Sequence, residues 1–185
     1  MCLASPFATE RSTDGAVINL ELKVRDGDPS ATVVACRRLG ARDEGMLRQR
    51  DTYFAVASGR LKLREDLVAG SAELVSYRRP ATEGVRVSVY ERVPIDASGP
   101  LATLLASALG VIGVVEKRRH LFLFEHVRIH LDDVEGLGAF VELEAVLPEG
   151  TEVPAEEATL ARVMRALDLD TRPAIATGYL ELLTG

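Results

Sequence analysis

Strict alternation of polar and apolar residues runs through most of this chain and limits the folds open to it. In VINLELKVR, residues 17–25, apolar and polar side chains alternate, which places them on opposite faces of a β-strand. Seven further segments show the same pattern: 45–55, 59–65, 71–79, 85–92, 113–124, 125–132 and 138–146. Eight strands joined mostly as hairpins predict an antiparallel sheet or barrel.

Three helices are predicted between these strands. Asp28 followed by Pro29 is typical of a helix start, and Gly40 of the end of that helix about three turns later. The apolar segment 100–109 predicts a second, short helix. Residues 154–167 begin with a proline and two glutamates, which suit a helix N-terminus, and predict the third.

Length and composition narrow the class of protein. The 185 residues suit a single domain, which we expect over 16–185 after a disordered segment 1–15. The chain carries no apolar run near the roughly 18 residues of a membrane span and no recognisable secretory signal, which predicts a cytoplasmic protein that binds no membrane. Its net charge of −6 argues against nucleic acid as a partner.

One face of the predicted strands is strongly charged. An open sheet would leave this face in water, but three helices need the opposite, apolar face for packing, which favours a barrel with a charged interior. An eight-stranded barrel has room for one small ligand, and enclosing many cations without an anion is costly. The charged face comprises Lys23, Arg25, Arg60, Lys62, Arg64, Arg86, Lys117, Arg119 and Arg128, with the acids Glu21, Asp132, Glu142 and Glu144. Basic groups interspersed with carboxylates predict a polyphosphate that carries a divalent metal.

The lysines of the chain are few and are found in these strands. Of 22 basic residues only Lys23, Lys62 and Lys117 are lysine. A compositional preference for arginine would explain this, and so would a need for a compact ammonium at three positions, which the planar guanidinium does not replace.

Several blocks of the sequence resemble the CYTH superfamily, which is named for class IV adenylyl cyclases and thiamine triphosphatase. Leu20-Glu21-Leu22-Lys23 is similar to the last part of the ExExK signature of that superfamily. Six more blocks follow in the family's order: DTYF at 51–54, GRLKLRE at 59–65, YRRP at 77–80, EKRR at 116–119, VRIHLD at 127–132 and GLGAFVELE at 136–144. The last block, with the preceding HLDDVE, is most similar to the class IV cyclase branch.

This resemblance implies an α+β fold, a closed eight-stranded antiparallel barrel or tunnel with a charged lumen and about three covering helices. It also implies a triphosphate bound with Mg²⁺ or Mn²⁺. The substrate-binding positions carried over from the family are Lys23, Arg25, Lys62, Arg64, Arg79, Lys117, Arg119 and Arg128. Glu21, Glu142 and Glu144 match metal-binding carboxylates, and Lys23, Glu21 and Asp132 match positions at the catalytic centre. All three lysines fall on matched positions, which favours a functional reason for them.

The resemblance leaves the reaction open. A class IV cyclase converts ATP to cyclic AMP and pyrophosphate, whereas a triphosphatase of the same superfamily hydrolyses inorganic triphosphate or thiamine triphosphate. Asn19 replaces the first glutamate of the signature and removes one negative charge from the metal site, which is compatible with a binding module that has lost turnover. A homodimer is a further expectation from the family.

Overall fold

The computed structural model describes residues 17–78, 86–147 and 153–185 of the chain. Within these residues it has eight strands, β1 (Val17–Arg25), β2 (Arg42–Phe54), β3 (Arg60–Asp66), β4 (Ser71–Arg78), β5 (Arg86–Ile95), β6 (Val111–Phe124), β7 (Val127–Val134) and β8 (Gly138–Leu147). The helices are α1 (Pro29–Leu39), α2 (Ser98–Leu109), α3 (Val153–Ala166) and α4 (Tyr179–Thr184). The segment 1–15, predicted to be disordered, lies outside the described residues.

Local sequence signals explain most of these boundaries. The Asp28 side chain caps α1 by accepting a hydrogen bond from the amide of Ala31, and Gly40 ends the helix with a left-handed φ of 80°. β7 begins at Val127, two residues later than predicted, because the chain turns at Glu125, whose φ is 52°. The short C-terminal helix α4 is an addition to the three predicted helices.

All strand pairs are antiparallel, and the strand order is β1-β5-β4-β3-β2-β6-β7-β8. β1 pairs with β8 over eight positions, from Ile18 to Arg25, but with β5 over five, from Val17 to Glu21. The eight strands and the α+β class are confirmed. Because β1 pairs with both β8 and β5, every strand has two neighbours and the curled sheet closes into a barrel, with its shortest seam between β1 and β5.

The main apolar core lies outside the curled sheet, beneath α1 and α3. In β1 the side chains of Leu20, Leu22 and Val24 are all buried in it. They pack in the same cluster as Cys36 of α1 and Leu160 of α3. The apolar side chains of β1 therefore face the helices and its charged side chains face the interior, as the alternation predicts.

A second apolar cluster fills one end of the interior. It consists of Tyr53, Val115, Val134, Phe140, Tyr179 and Leu180. The C-terminal segment supplies Tyr179 and Leu180, and a side chain at Gly113 would occupy the space of Leu180. The amide of Ile175 also donates to the carbonyl oxygen of Lys23 at 2.8 Å, on the part of β1 beyond its pairing with β5. The C-terminal segment therefore closes this end of the sheet and borders the charged interior.

Candidate functional site

The interior of the curled sheet is a cavity of about 1080 Å³, including its opening to solvent. Among the described residues its wall carries seven cations, Lys23, Lys62, Arg64, Arg92, Lys117, Arg119 and Arg128, and four carboxylates, Glu21, Asp51, Glu142 and Glu144. A concave wall with three more positive than negative side chains favours a multiply charged anion.

Lys23 lies at the centre of this wall and is almost completely buried. Its ammonium is 3.1 Å from a carboxylate oxygen of Glu142 and donates to the carbonyl oxygen of Thr177 at 3.1 Å. It also lies 4.1 Å from the centre of the Tyr179 ring. Neighbours on three sides therefore hold the ammonium in a fixed place on the cavity wall.

Arg119 and Lys117 of β6 are held from behind by Asp132 of β7. The Asp132 carboxylate accepts two hydrogen bonds from Arg119, both at 2.6 Å, and one from the Tyr179 hydroxyl at 2.9 Å, and it lies 3.4 Å from the Lys117 ammonium. Its side chain is 0% exposed. Burial alone would raise the pKa of Asp132, but Arg119 and Lys117 outweigh it and lower that pKa, so the group remains a carboxylate.

Burial also changes the pKa of two lysines on the cavity wall, Lys117 and Lys62. It lowers the pKa of Lys117 to about 8, helped by the nearby Arg119 and opposed by Asp132. Burial likewise lowers the pKa of Lys62 to about 7, with Arg64 acting in the same direction and Asp51 against it. An anion that enters the cavity would stabilise the charged form of both lysines.

The three carboxylates predicted to bind a metal lie close to one another along two paired strands. Glu21 faces Glu144 directly in the β1–β8 ladder, and Glu142 is two residues from Glu144 on the same face. Arg119 donates to Glu142 at 2.7 Å and Arg128 donates to Glu144 at 3.3 Å. In the parts of the chain that the structure describes, no three His, Cys, Asp or Glu side chains are grouped closely enough to hold a metal ion. Because Mg²⁺ is usually bound by one or two carboxylates together with substrate phosphates, this donor set fits a metal that arrives with a triphosphate.

His130 lies between two of these carboxylates. Its ring nitrogens are each 3.9 Å from one of them, Nδ1 from Glu142 and Nε2 from Glu144. Burial, with the Arg119 charge, lowers the pKa of His130, which favours the neutral ring. By contrast His120 lies on the outer face beside Asp43, as the alternation predicts.

The structure brings nine of the predicted site residues to the cavity wall, and two others, Arg25 and Asp132, lie away from it. Arg25 is exposed at the end of β1, where its guanidinium stacks 4.5 Å from the Phe140 ring and donates to the Leu137 carbonyl oxygen at 2.5 Å. Asp132 lies behind the wall rather than on it. Arg79 is outside the described residues.

Several wall residues were missed by the sequence analysis. Asp51 and Gln49 of β2 and Arg92 of β5 all line the cavity. The alternation in the sequence could have identified two of them. Asp51 is two residues from Tyr53 and Arg92 is two residues from Tyr90, so each pair shares one face of its strand. The amide oxygen of Gln49 is buried and has no hydrogen-bond partner among the described residues. Tyr53, Tyr77 and Tyr90 also lie on the cavity wall, and Tyr53 and Tyr77 pack in the second apolar cluster as well.

None of the helices in the described parts of the chain has the length and apolar character of a transmembrane span.

Comparison with known proteins agrees with this arrangement. The chain is 25% identical over 173 residues to a candidate adenylate cyclase of Methanocaldococcus jannaschii, which covers 90% of this chain and 98% of that protein. A solved candidate adenylate cyclase from Vibrio parahaemolyticus superimposes with a TM-score of 0.76 at 19% identity, over 92% of this chain and 100% of that one.

A third similar structure is a plant protein from Hippeastrum. It is described as a candidate adenylyl cyclase with a dominant triphosphatase activity, and it superimposes with a TM-score of 0.67 at 16% identity, over 91% of this chain and 95% of that one. The sequence itself matches the CYTH domain over residues 18–179, from the first strand of the sheet to the C-terminal tyrosine on its closed end. The chain therefore belongs to the CYTH family.

Proposed function

We propose that this protein binds a metal-bound triphosphate in the charged cavity and acts as an adenylyl cyclase that converts ATP to cyclic AMP and pyrophosphate. The observation that carries the proposal is the row of seven lysines and arginines on one concave wall, with three glutamates on β1 and β8. CYTH proteins include adenylyl cyclases and triphosphatases, and the Methanocaldococcus relative bears a cyclase name.

The residues of the chain would act mainly by position and charge. Phosphoryl and nucleotidyl transfer need in-line alignment and neutralisation of charge more than covalent help from the protein. Lys23, Lys62 and Arg64 would hold the triphosphate, and Arg119 and Lys117, fixed from behind, would stabilise the charge that develops on the leaving pyrophosphate. The apolar cluster around Tyr179 would keep water from that end of the cavity.

Glu21, Glu142 and Glu144 would hold Mg²⁺ or Mn²⁺. When bound, such an ion neutralises phosphate charge and activates the attacking oxygen. Asn19 lies two residues before Glu21 in the sequence, and its side chain lies outside the described part of the structure.

A triphosphatase is the second candidate, and the similarity to the Hippeastrum protein favours it. The same cations would then hold inorganic triphosphate or thiamine triphosphate, and water would attack the terminal phosphorus instead of the ribose 3′-hydroxyl attacking the α-phosphorus. A binding module without turnover is the third candidate, and Asn19 supports it. A cytoplasmic location, a homodimer and the absence of a nucleic-acid partner remain predictions from the sequence.

Product analysis by phosphorus NMR distinguishes these reactions. The protein would be incubated with Mg²⁺ or Mn²⁺ and with ATP, inorganic triphosphate or thiamine triphosphate in separate samples. We expect pyrophosphate and cyclic AMP from ATP, and no product after chelation of the metal or in a Glu142→Gln variant. Asp133→Asn, an exposed position on the outer face, is the matched control and should keep full turnover.

Each other outcome assigns a different function. Orthophosphate from inorganic or thiamine triphosphate, with ATP left intact, would contradict the cyclase proposal and make the protein a triphosphatase. Tight binding of one of these three triphosphates without any product would contradict both enzymatic proposals and make the protein a binding module.

A further inference from the structure

Asp51 is a buried carboxylate on the cavity wall that holds two of the predicted phosphate-binding cations at once. Its side chain is 3% exposed. It accepts hydrogen bonds from the Lys62 ammonium at 2.8 Å and from the Nε and Nη2 atoms of Arg64 at 2.7 and 2.8 Å. All three bonds are charge-assisted, and the Arg64 pair is bidentate, which fixes the direction of its guanidinium.

This arrangement follows from strand register. Asp51 of β2 is directly opposite Arg64 of β3, and Tyr53 is opposite Lys62. Lys62 and Arg64 are two residues apart on one strand, so both face the cavity and their like charges repel. A carboxylate between them offsets that repulsion and sets the spacing of the two cations.

The Lys62 ammonium is surrounded by other cations and by aromatic rings, so it depends on Asp51 for a compensating negative charge. Arg64 adjoins it on β3, Lys117 faces it from β6, and the rings of Tyr53 on β2 and Tyr77 on β4 lie 5.5 and 5.7 Å from its ammonium. Among the residues that the structure describes, Asp51 is the one carboxylate within ion-pair distance of Lys62. Arg64 and Lys117 are the other charged groups that act on this ammonium within the described residues, and their positive charges destabilise its charged form.

The protonation of both partners agrees with this geometry. Burial first and the Arg64 charge second lower the pKa of Lys62, Asp51 opposes them, and the net result is a pKa of about 7. Burial would raise the pKa of Asp51, but Arg64 and Lys62 outweigh it and hold that pKa well below its usual range. Asp51 thus stays ionised near neutral pH, where Lys62 is close to losing its proton.

We propose that Asp51 is a positioning residue of the triphosphate site, which orients Lys62 and Arg64 toward the cavity and keeps Lys62 in its ammonium form. The inference rests on the proposed triphosphate site. An ammonium has three donors, so the bond to Asp51 leaves two for phosphate oxygens. Arg64 likewise keeps Nη1 free of Asp51, although that atom is 3.9 Å from Glu73.

Asp51→Asn keeps the size of the side chain but removes its charge. Because an adjacent opposite charge shifts a pKa by about 1–3 units, the pKa of Lys62 should fall by about that amount in the variant. The sign then follows from the cost of protonating Lys62. The loss of affinity relative to the wild type is smallest below both pKa values, grows between them, and is full above about pH 7, where Lys62 of the wild type is itself mostly neutral. Triphosphate affinity should therefore be lost in the variant mainly at high pH.

The direct test is a pH titration of the lysine side chains by NMR. With ¹³C-labelled lysine the chain gives only three side-chain signals, from Lys23, Lys62 and Lys117, and one Lys→Arg variant at a time assigns them. We expect the Lys62 signal to titrate at a lower pH in Asp51→Asn than in wild type, by at least about 1 unit. An unchanged Lys62 midpoint would overturn the inference.

The functional test measures the dissociation constant of inorganic triphosphate at pH 6 and pH 8.5 for wild type and Asp51→Asn. The ratio of the two constants cancels the titration of the ligand itself. With a wild-type pKa of about 7 and a fall of about 1–3 units in the variant, we expect the ratio of variant to wild-type constants to rise about five- to tenfold from the lower to the higher pH. In a Lys62→Arg background the cation cannot deprotonate, and the ratio should stay constant. An equal ratio at both pH values, or a pH-dependent ratio in the Lys62→Arg background, would contradict the role assigned to Asp51.

A second variant covers the case in which Asp51→Asn does not fold. Asp51→Glu keeps the charge but displaces it by one methylene, so it should weaken triphosphate binding by a factor that is the same at both pH values. A pH-dependent loss in this variant would count against the inference. Failure of the wild type to bind triphosphate would overturn the proposed function, and the lysine titration would still decide whether Asp51 keeps Lys62 charged.

Discussion

Replacing Lys23 with methionine should weaken the binding of Mg²⁺-triphosphate about 10- to 150-fold and leave the protein folded. Methionine keeps most of the aliphatic chain but loses the ammonium, and a hydrogen bond to a charged group contributes about 1.5–3 kcal/mol. Glu142 would retain Arg119 as its partner, at 2.7 Å, so no carboxylate is left unpaired. Titration calorimetry gives the affinity, and circular dichroism monitors the fold.

The matched control is Arg25→Met on the same strand and the same face. Arg25 is exposed and stacks on Phe140 outside the cavity wall, so its loss should change the affinity less than about threefold. An equal loss of affinity in both variants would indicate a general effect of positive charge. Unfolding of Lys23→Met under conditions where the wild type is stable would assign Lys23 a structural role instead.

The largest effect on stability is expected for Asp132→Asn. This carboxylate is fully buried and is bonded to Arg119, Lys117 and Tyr179. Removing one partner from a buried ion pair costs about 3–5 kcal/mol, because the remaining charges stay buried without compensation. We therefore expect the free energy of unfolding in urea to fall by about that amount and the melting temperature to fall by roughly 6–20 °C.

Asp133→Asn provides the comparison one residue along the same strand. Asp133 pairs with Arg118 on the outer face, where both side chains are more than half exposed, so its loss should cost less than about 1 kcal/mol. Equal destabilisation by the two variants would contradict the role of Asp132 as the anchor of Arg119 and Lys117.

The alternation in the sequence predicted which face each side chain occupies, because that face depends on the strand alone. In β1 it separates Leu20, Leu22 and Val24, which pack beneath the helices, from Glu21 and Lys23 on the cavity wall. The same local rule explains why all three lysines of the chain were correctly placed on that wall.

Alternation does not predict how far along the barrel a residue lies. Arg25 has the same strand and face as Lys23, yet its position near the end of β1 takes it out of the cavity and onto Phe140. Asp132 shares its face with His130 but is covered by Arg119 and Tyr179. The short seam depends on register between β1 and β5, and the closed end depends on Tyr179, which is distant in sequence from every strand it contacts. The alternation of residues along a single strand contains no information about such long-range contacts.

The central claim is that one triphosphate binds within the curled sheet. The measurement that tests it most directly is calorimetric titration of the wild-type protein with inorganic triphosphate and, separately, with orthophosphate, in Mg²⁺ at pH 6.5. We expect one triphosphate per chain and an affinity on the order of 100-fold or more above that of orthophosphate, since two further phosphates add several charge-assisted hydrogen bonds of about 1.5–3 kcal/mol each. Equal affinity for the two anions, or weak binding at several sites per chain, would contradict the claim and leave the charged cavity without its proposed ligand.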